Sequence, residues 1–324
     1  MSPPLRALIV GAGSVGQVYG WCLQQGGAEV SVFVREKYAA EARAGFALYR
    51  GGRPPAQRFV PAAVLTTAAE VGAARFDQVW LCVSSTAIRG AWLPELARHF
   101  GAATVVALQP GLRDRERLQS LCPPERLVLG LIAFSAWHAP LPGGPPVDAP
   151  GQGFWFPPLT PSTFEGAAAP AVVQALRAGG CPASEGAPLV DAARGSALLL
   201  SLVAAMECAG WTFSGFRSAH WAALAAGAGQ EALAIGTAHL GVRPGAAALA
   251  LRPGLLRLAT RLVPWLAPMD FERFLAVHFT KVGDQTLLAL DTWIDSGRAQ
   301  GQSTADLVRL RDALRAARGL QPAS

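Results

Sequence analysis

Asparagine is absent from this 324-residue chain, which excludes N-glycosylation sequons and any site built on an asparagine side chain. Lysine is almost absent. Lys37 and Lys281 are the only two, and the remaining basic residues are arginine. A codon bias toward Ala, Gly, Pro and Arg accounts for this pattern, so a lysine that survives it is a candidate for a role. Charged residues make up only 15% of the chain and hydrophobic ones 51%, with a mean hydropathy of +0.29. That excludes a disordered chain and supplies core material for one large domain or two ordinary ones. The net charge of +6 has no basic run behind it: residues 1–166 and 167–324 each hold 14 basic and 11 acidic side chains. No nucleic-acid partner is expected from so even a spread. The five cysteines are odd in number and never in C-x-x-C spacing, which argues against a disulfide framework or zinc site and for a reducing compartment. No signal-peptide apolar run precedes the first strand. The most membrane-like stretch, 197–211, contains Glu207 and falls short of the roughly 20 residues of a span. A cytoplasmic protein without a membrane partner is the expectation.

What is present is an alternation of strand and helix. Leu5–Val10 is a short apolar run ending in glycines, as a buried parallel strand does. A helix is expected at Val15–Gln25, then strands at Glu29–Val34, Gln78–Val83, Thr104–Leu108 and Arg126–Phe134. Helices are expected between them at Ala87–Phe100 and Asp114–Leu121, and a further one at Ala167–Ala178. This is the pattern of an α/β, Rossmann-type doubly wound parallel sheet. Residues 138–166 are rich in proline and read as a loop or irregular hairpin. Beyond Pro188 the pattern is helical, with helices expected at Val190–Cys208, Ser218–Leu240, Pro253–Leu266, Asp270–Ser296 and Ser303–Ala317. The layout is a nucleotide-type domain at 1–182 and an all-helical domain at 183–324. The apolar helices at 190–208 and 222–240 bury either a homodimer face or their own domain's core.

Gly11-Ala12-Gly13-Ser14-Val15-Gly16 is a G-x-G-x-x-G run between a strand and a helix. Gly11 permits the tight turn, Gly13 lets backbone approach a pyrophosphate, and Gly16 lets helix and strand pack closely. The amides of Ser14 and Val15 at the helix start face the phosphates. At the end of the next strand an NAD site places a carboxylate. Here Arg35 stands there, followed by Glu36 and Lys37. Two cations suit a 2′-phosphate, so NADPH/NADP+ is the expected cofactor, with Glu36 in the NAD role as the alternative.

These residues, with Phe76–Ser84, Leu108-Gln109-Pro110-Gly111, Pro124–Gly130 and Gly297–Thr304, resemble the ketopantoate reductase (2-dehydropantoate 2-reductase) family. The resemblance spans most of the chain and is specific over the first 130 residues. It implies an NADPH-binding Rossmann domain, a helical domain, a cleft between them, and hydride transfer to the ketone of a 2-keto acid. It also places Ser84 and Gln109 at the cofactor. Ser84 stands where the family has a lysine, and Pro110 where it has an asparagine. Ala197 and Ser201 stand where it has a catalytic lysine and a second asparagine, and Asp284 or Gln285 falls near its substrate-binding glutamate.

A ketone reductase needs a group to protonate the developing alkoxide. The densest polar cluster of the helical domain is 277–285. His278 and Lys281 share one helical face and Asp284 lies on the next, with Lys281 a candidate desolvated general acid and a surface ion pair with Asp284 the alternative. Lys281, His278 and Asp284 are therefore the catalytic candidates. Glu207 in its apolar helix calls for an arginine partner, His220 reads as a surface helix start, and His138 is a candidate cleft residue. The expected activity is NADPH-dependent reduction of a carbonyl substrate other than ketopantoate. The alternatives are an imine or opine reductase and a non-catalytic NADP-binding sensor or partner subunit.

Overall fold

The computed structural model describes residues 3–109, 111, 114–281 and 283–320, which form two compact units, Met1–Leu189 and Val190–Ser324. The described strands of the first unit are β1 (Arg6–Val10), β2 (Glu29–Phe33), β3 (Phe46–Arg50), β4 (Gln57–Phe59), β5 (Val64–Leu65) and β6 (Gln78–Leu81). They continue with β7 (Thr104–Ala107), β8 (Leu127–Leu131), β9 (Ser135–Ala139), β10 (Gly151–Trp155), β11 (Ser162–Glu165) and β12 (Ala183–Glu185). Eight of them make the main sheet, in the order β12-β11-β8-β7-β6-β1-β2-β5, parallel throughout except for β11 against β8. Ala183–Glu185, beyond the expected boundary at 182, is thus an edge strand of this sheet.

The central strands are apolar on both faces because both faces are covered. Ala7, Ile9, Val32, Trp80, Val106 and Val128 pack on one side, with helices α1 (Ser14–Gln25) and α2 (Ala169–Ala178). Leu8, Val10, Val79, Leu81, Val105 and Ala107 pack on the other. Helices α1 and α2 approach until backbones touch: a Cβ on Gly179 would collide with the Cys22 carbonyl.

The remaining strands form a second sheet, β4-β3-β10-β9, which also packs on α1. This sheet was not expected. The proline-rich segment contributes a regular strand, β10, antiparallel to β9 and parallel to β3. Gly151 and Gly153 make it possible. Side chains there would run into the Ala47 carbonyl and the Trp137 ring. The strand expected at 126–134 ends earlier, as β8 at Leu131, and the chain then starts β9 at Ser135 in the other sheet. The helix expected at 87–100 is a 3-10 turn (Ala87–Arg89) followed by a short helix (Trp92–Ala97). The break falls at Gly90, where the Trp92 indole folds back and its Nε1 donates to the Ala87 carbonyl at 3.1 Å.

The second unit is helical: α3 (Pro188–Cys208), α4 (Ala219–His239), α5 (Pro253–Leu266), α6 (Phe271–Lys281), α7 (Gly283–Ala299) and α8 (Ala305–Ala317). Val282, inside the single helix expected at 270–296, lies outside the described residues. Helix α4 runs through the centre against α5, α7 and α8. Its Ala225, Ala228, Ala232, Leu233 and Ile235 are buried, so much of it is core. Helix α3 is longer than expected and, by length and composition alone, long and apolar enough to cross a membrane. Half of its most apolar window is buried, and Ala197, Ser201, Ala204 and Ala205 are fully so, as in a core helix. Helix α5 buries Leu256 and Thr260 and leaves Leu255, Leu258, Leu262 and Trp265 exposed.

Candidate dinucleotide site

Strand order reverses between β1 and β6, since the chain proceeds from β1 to β2 and β5 on one side and from β6 to β7 and β8 on the other. In open α/β sheets the crevice at such a reversal, beyond the carboxyl ends of the strands, is where ligands bind. Gly11 turns the chain out of β1 into it with φ +94°, a region that favours glycine, and its amide donates to the Phe33 carbonyl at 3.0 Å. A Cβ on Gly11 would lie 2.8 Å from Val83 Cγ1 and 2.9 Å from the Cys82 carbonyl, so the turn sits hard against the end of β6. On Gly16 a Cβ would meet the Gly11 carbonyl and, at 2.9 Å, Ile9 Cγ2. Gly13 differs: nothing lies within 4 Å of its missing Cβ, so the chain is bare on that side.

Helix α1 begins immediately after Gly13 with no side-chain cap. Among the described residues nothing accepts from the amides of Ser14, Val15 and Gly16. Unpaired amides at a helix start, beside an open glycine, are an anion site in both charge and geometry. At the end of β2, Arg35, Lys37 and Tyr38 are exposed. Both cations lie over the Tyr38 ring, at 5.3 and 4.9 Å, and neither makes an ion pair among the described residues. A dinucleotide fits this set: the α1 start would hold its pyrophosphate and the end of β2 its adenosine ribose.

Gln109 and Ser84 lie just beyond the ends of β7 and β6. The Gln109 amide is buried and donates to the Leu81 and Val83 carbonyls at 2.8 and 2.6 Å, tying the ends of β6 and β7 together. Ser84 shares a hydrogen bond with Thr86 at 2.8 Å and accepts from the Ala87 amide at 3.1 Å, shaping the turn after β6. Both therefore support the wall of the crevice. Pro110 lies outside the described residues.

Asp114 was not singled out by its sequence context. Its carboxylate is 2% exposed and faces Arg89 at 3.5 Å. Burial holds its pKa above the usual carboxylate range, against the pull of Ser85, Arg89 and the Gly111 amide. The folded chain thus holds this proton more tightly than the unfolded chain, and ionising Asp114 costs stability as pH rises through its raised pKa. Asp114→Asn is therefore expected to raise the melting temperature of the first unit at neutral pH, with the gain shrinking toward pH 4. A drop at neutral pH would mean that the Arg89 contact outweighs burial.

In the second unit His278 is half-buried between the rings of Phe274 and Phe279, 5.4 and 4.9 Å away. Lys281, at the end of α6, and Asp284, in the first turn of α7, are exposed. Ser201 is fully buried and its hydroxyl has no hydrogen-bond partner among the described residues. Glu207 has its arginine: Arg318 Nε and one terminal nitrogen each donate to a carboxylate oxygen at 2.6 Å. His220 is exposed in the first turn of α4, against Trp221. His138 lies on β9 beside Gln152.

A glycine turn at a strand-order reversal, an uncapped helix and a cation pair after β2 give the first unit the geometry of a Rossmann-type dinucleotide domain. Residues 7–140 match the family model of ketopantoate reductase PanE/ApbA. The fold is that of a 2-dehydropantoate 2-reductase from Geobacter metallireducens GS-15, with 18% identity, a TM-score of 0.72, and 97% of this chain and 100% of that one covered. It is equally that of a PanE/ApbA family ketopantoate reductase from Ralstonia eutropha JMP134, with 19% identity, a TM-score of 0.73, and coverage of 97% and 99%. D-mandelate dehydrogenase, solved with NADH and anilino(oxo)acetate, shares the fold at 13% identity, a TM-score of 0.70, and coverage of 97% and 99%. No curated protein matches the chain. The chain thus resembles the ketopantoate reductase family, a family of oxidoreductases, and has its fold.

Proposed function

We propose that this protein is a cytoplasmic NADPH-dependent oxidoreductase that reduces the carbonyl group of a 2-keto acid-like substrate other than ketopantoate. The observation that carries the cofactor choice is the pair of cations, Arg35 and Lys37, that flank Tyr38 at the end of β2 and make no ion pair among the described residues. A guanidinium there offers a phosphate two parallel N–H bonds, and the ammonium adds a point charge. When bound, the dinucleotide supplies the hydride. The chain's own residues hold it, through the amides of Ser14, Val15 and Gly16 at the phosphates and Arg35 and Lys37 at the ribose end. The departure from ketopantoate rests on the residues at the family's polar positions. Ala197 and Ser201 stand at two of them, and both are fully buried in α3.

One observation favours a second reading, a non-catalytic NADP-binding subunit: the only lysine outside the cofactor loop, Lys281, is exposed. Turnover of any 2-keto acid with NADPH would dismiss that reading. Titration with NADPH and NADH, followed by nicotinamide fluorescence, tests the cofactor. Arg35→Ala is expected to weaken NADPH about tenfold or more, the value of one charge-assisted phosphate contact, and to leave NADH nearly unchanged. Equal loss for both nucleotides would remove the 2′-phosphate role, and binding of neither would remove the oxidoreductase reading.

A further inference from the structure

Ser14, the first residue of α1, is tied to a neighbouring sheet. Its hydroxyl donates to Gln152 Oε1 at 2.6 Å, and Gln152 Nε2 lies 2.9 Å from His138 Nδ1. Gln152 is 6% exposed and sits on β10, and His138 stands opposite it on the edge strand β9, exposed to solvent. A continuous path of hydrogen bonds therefore joins a solvent-facing imidazole to the helix start that the phosphates would occupy. The glycine motif does not require such a path.

We propose that Gln152 and His138 set the hydrogen-bonding sense of Ser14 and so make dinucleotide affinity depend on the charge of His138; this rests on the dinucleotide reading above. A carboxamide has one accepting end and one donating end. In the arrangement seen, Oε1 accepts from Ser14 and Nε2 faces Nδ1, so Nδ1 is the bare nitrogen of a neutral ring. The Ser14 proton is then committed to Gln152, and toward the phosphates its oxygen can only accept. An imidazolium carries N–H at both nitrogens and can only donate. Protonation of His138 turns the amide over. Oε1 then accepts from Nδ1–H, Nε2 donates to Ser14 Oγ, and the Ser14 proton is released toward a phosphate oxygen. One proton is taken from solvent onto His138, and no other bond to hydrogen breaks. Gln152 and His138 are thus positioning residues, acting through Ser14.

Several titratable and charged groups lie around His138. β10, the strand paired with β9, carries no titratable residue. Helix α1, packed on β9, carries Tyr19 and Cys22, whose pKa values are raised well above their ordinary ones. Burial is the main cause for Tyr19, and a hydrogen bond with Cys181 together with burial for Cys22. The nearby charges are Arg50 on β3, lying 5.8 Å over the Phe156 ring, Arg53 beside Gly52, which packs on Trp137, and Asp148 between β9 and β10.

The test is calorimetric titration with NADP+ and with NADH, which has no 2′-phosphate to titrate, across pH 5.5 to 8 for the wild type and His138→Gln. Wild-type affinity for both nucleotides is expected to rise about tenfold toward low pH, the value of one charge-assisted phosphate bond, with proton uptake on binding. In His138→Gln, an exposed substitution that leaves the fold intact, the NADH slope should vanish and the NADP+ slope should fall to that of the ligand alone. Gln152→Leu should behave likewise. Equal slopes in wild type and His138→Gln, or weaker wild-type binding at low pH, would overturn the proposal. Failure of both nucleotides to bind at any pH is a separate result, which overturns the dinucleotide reading itself.

Discussion

Replacing Gly11 by alanine is expected to destabilise the first unit by about 3 kcal/mol and to abolish nucleotide binding. Two costs combine. At φ +94° any L side chain is strained, and the new methyl meets the Cys82 carbonyl and Val83 at under 3 Å, against the end of a central strand that cannot move alone. Gly13→Ala is the control. Its φ is −75° and its surroundings are open, so stability should hold while nucleotide affinity falls, because the methyl enters the space a pyrophosphate needs. Urea unfolding beside nicotinamide fluorescence separates the two variants. An unchanged unfolding midpoint for Gly11→Ala would show that the β6 end yields freely. Unchanged affinity for Gly13→Ala would place the phosphates elsewhere.

The second large effect lies in the helical unit. Glu207 and Arg318 are 13% and 18% exposed and joined by two parallel bonds, and Arg318 also donates to the Gly283 carbonyl at 2.9 Å. One side chain thus connects the end of α8 to α3 and to the start of α7. Glu207→Ala is expected to cost about 3 kcal/mol, because it leaves a largely desolvated guanidinium without its counter-charge. The double variant Glu207→Leu/Arg318→Leu should be less damaging than either single one, since no orphaned charge remains. Additive losses would mean that the two side chains are not energetically coupled and that each acts through its other contacts.

The parts of this fold that could be read from sequence are those whose pattern is set by burial on both sides. β1, β6 and β7 are apolar after their first residue, β2 is so but for Ser31, and all four fall where such runs are expected. Arg35 was legible because it follows directly on such a run. The small sheet was not, since β3 and β4 are short and polar at their edges, and β10 lies among prolines with two glycines whose role appears only against Ala47 and Trp137. The Ser14–Gln152 bond joins residues 138 apart in the chain, and no local pattern announces it. His278 and Lys281 lie on one helix, as their spacing predicts. Periodicity gives orientation rather than depth, though, and does not show that Lys281 is exposed while His278 is half-buried.

The cysteines carry a last consequence. All five are free and none is exposed. Burial pushes the thiols of Cys82 and Cys122 up, and that of Cys208 to about 11. Thiolate is the reactive form, so at neutral pH an alkylating reagent meets almost no nucleophile while the chain is folded. Labelling then proceeds through openings of the structure, in proportion to the open population when reclosing outpaces alkylation. Cys22, Cys82, Cys122 and Cys181 record openings of the first unit and Cys208 those of the second. Peptide-resolved alkylation of the intact chain would therefore yield a separate opening free energy for each half, without cutting them apart.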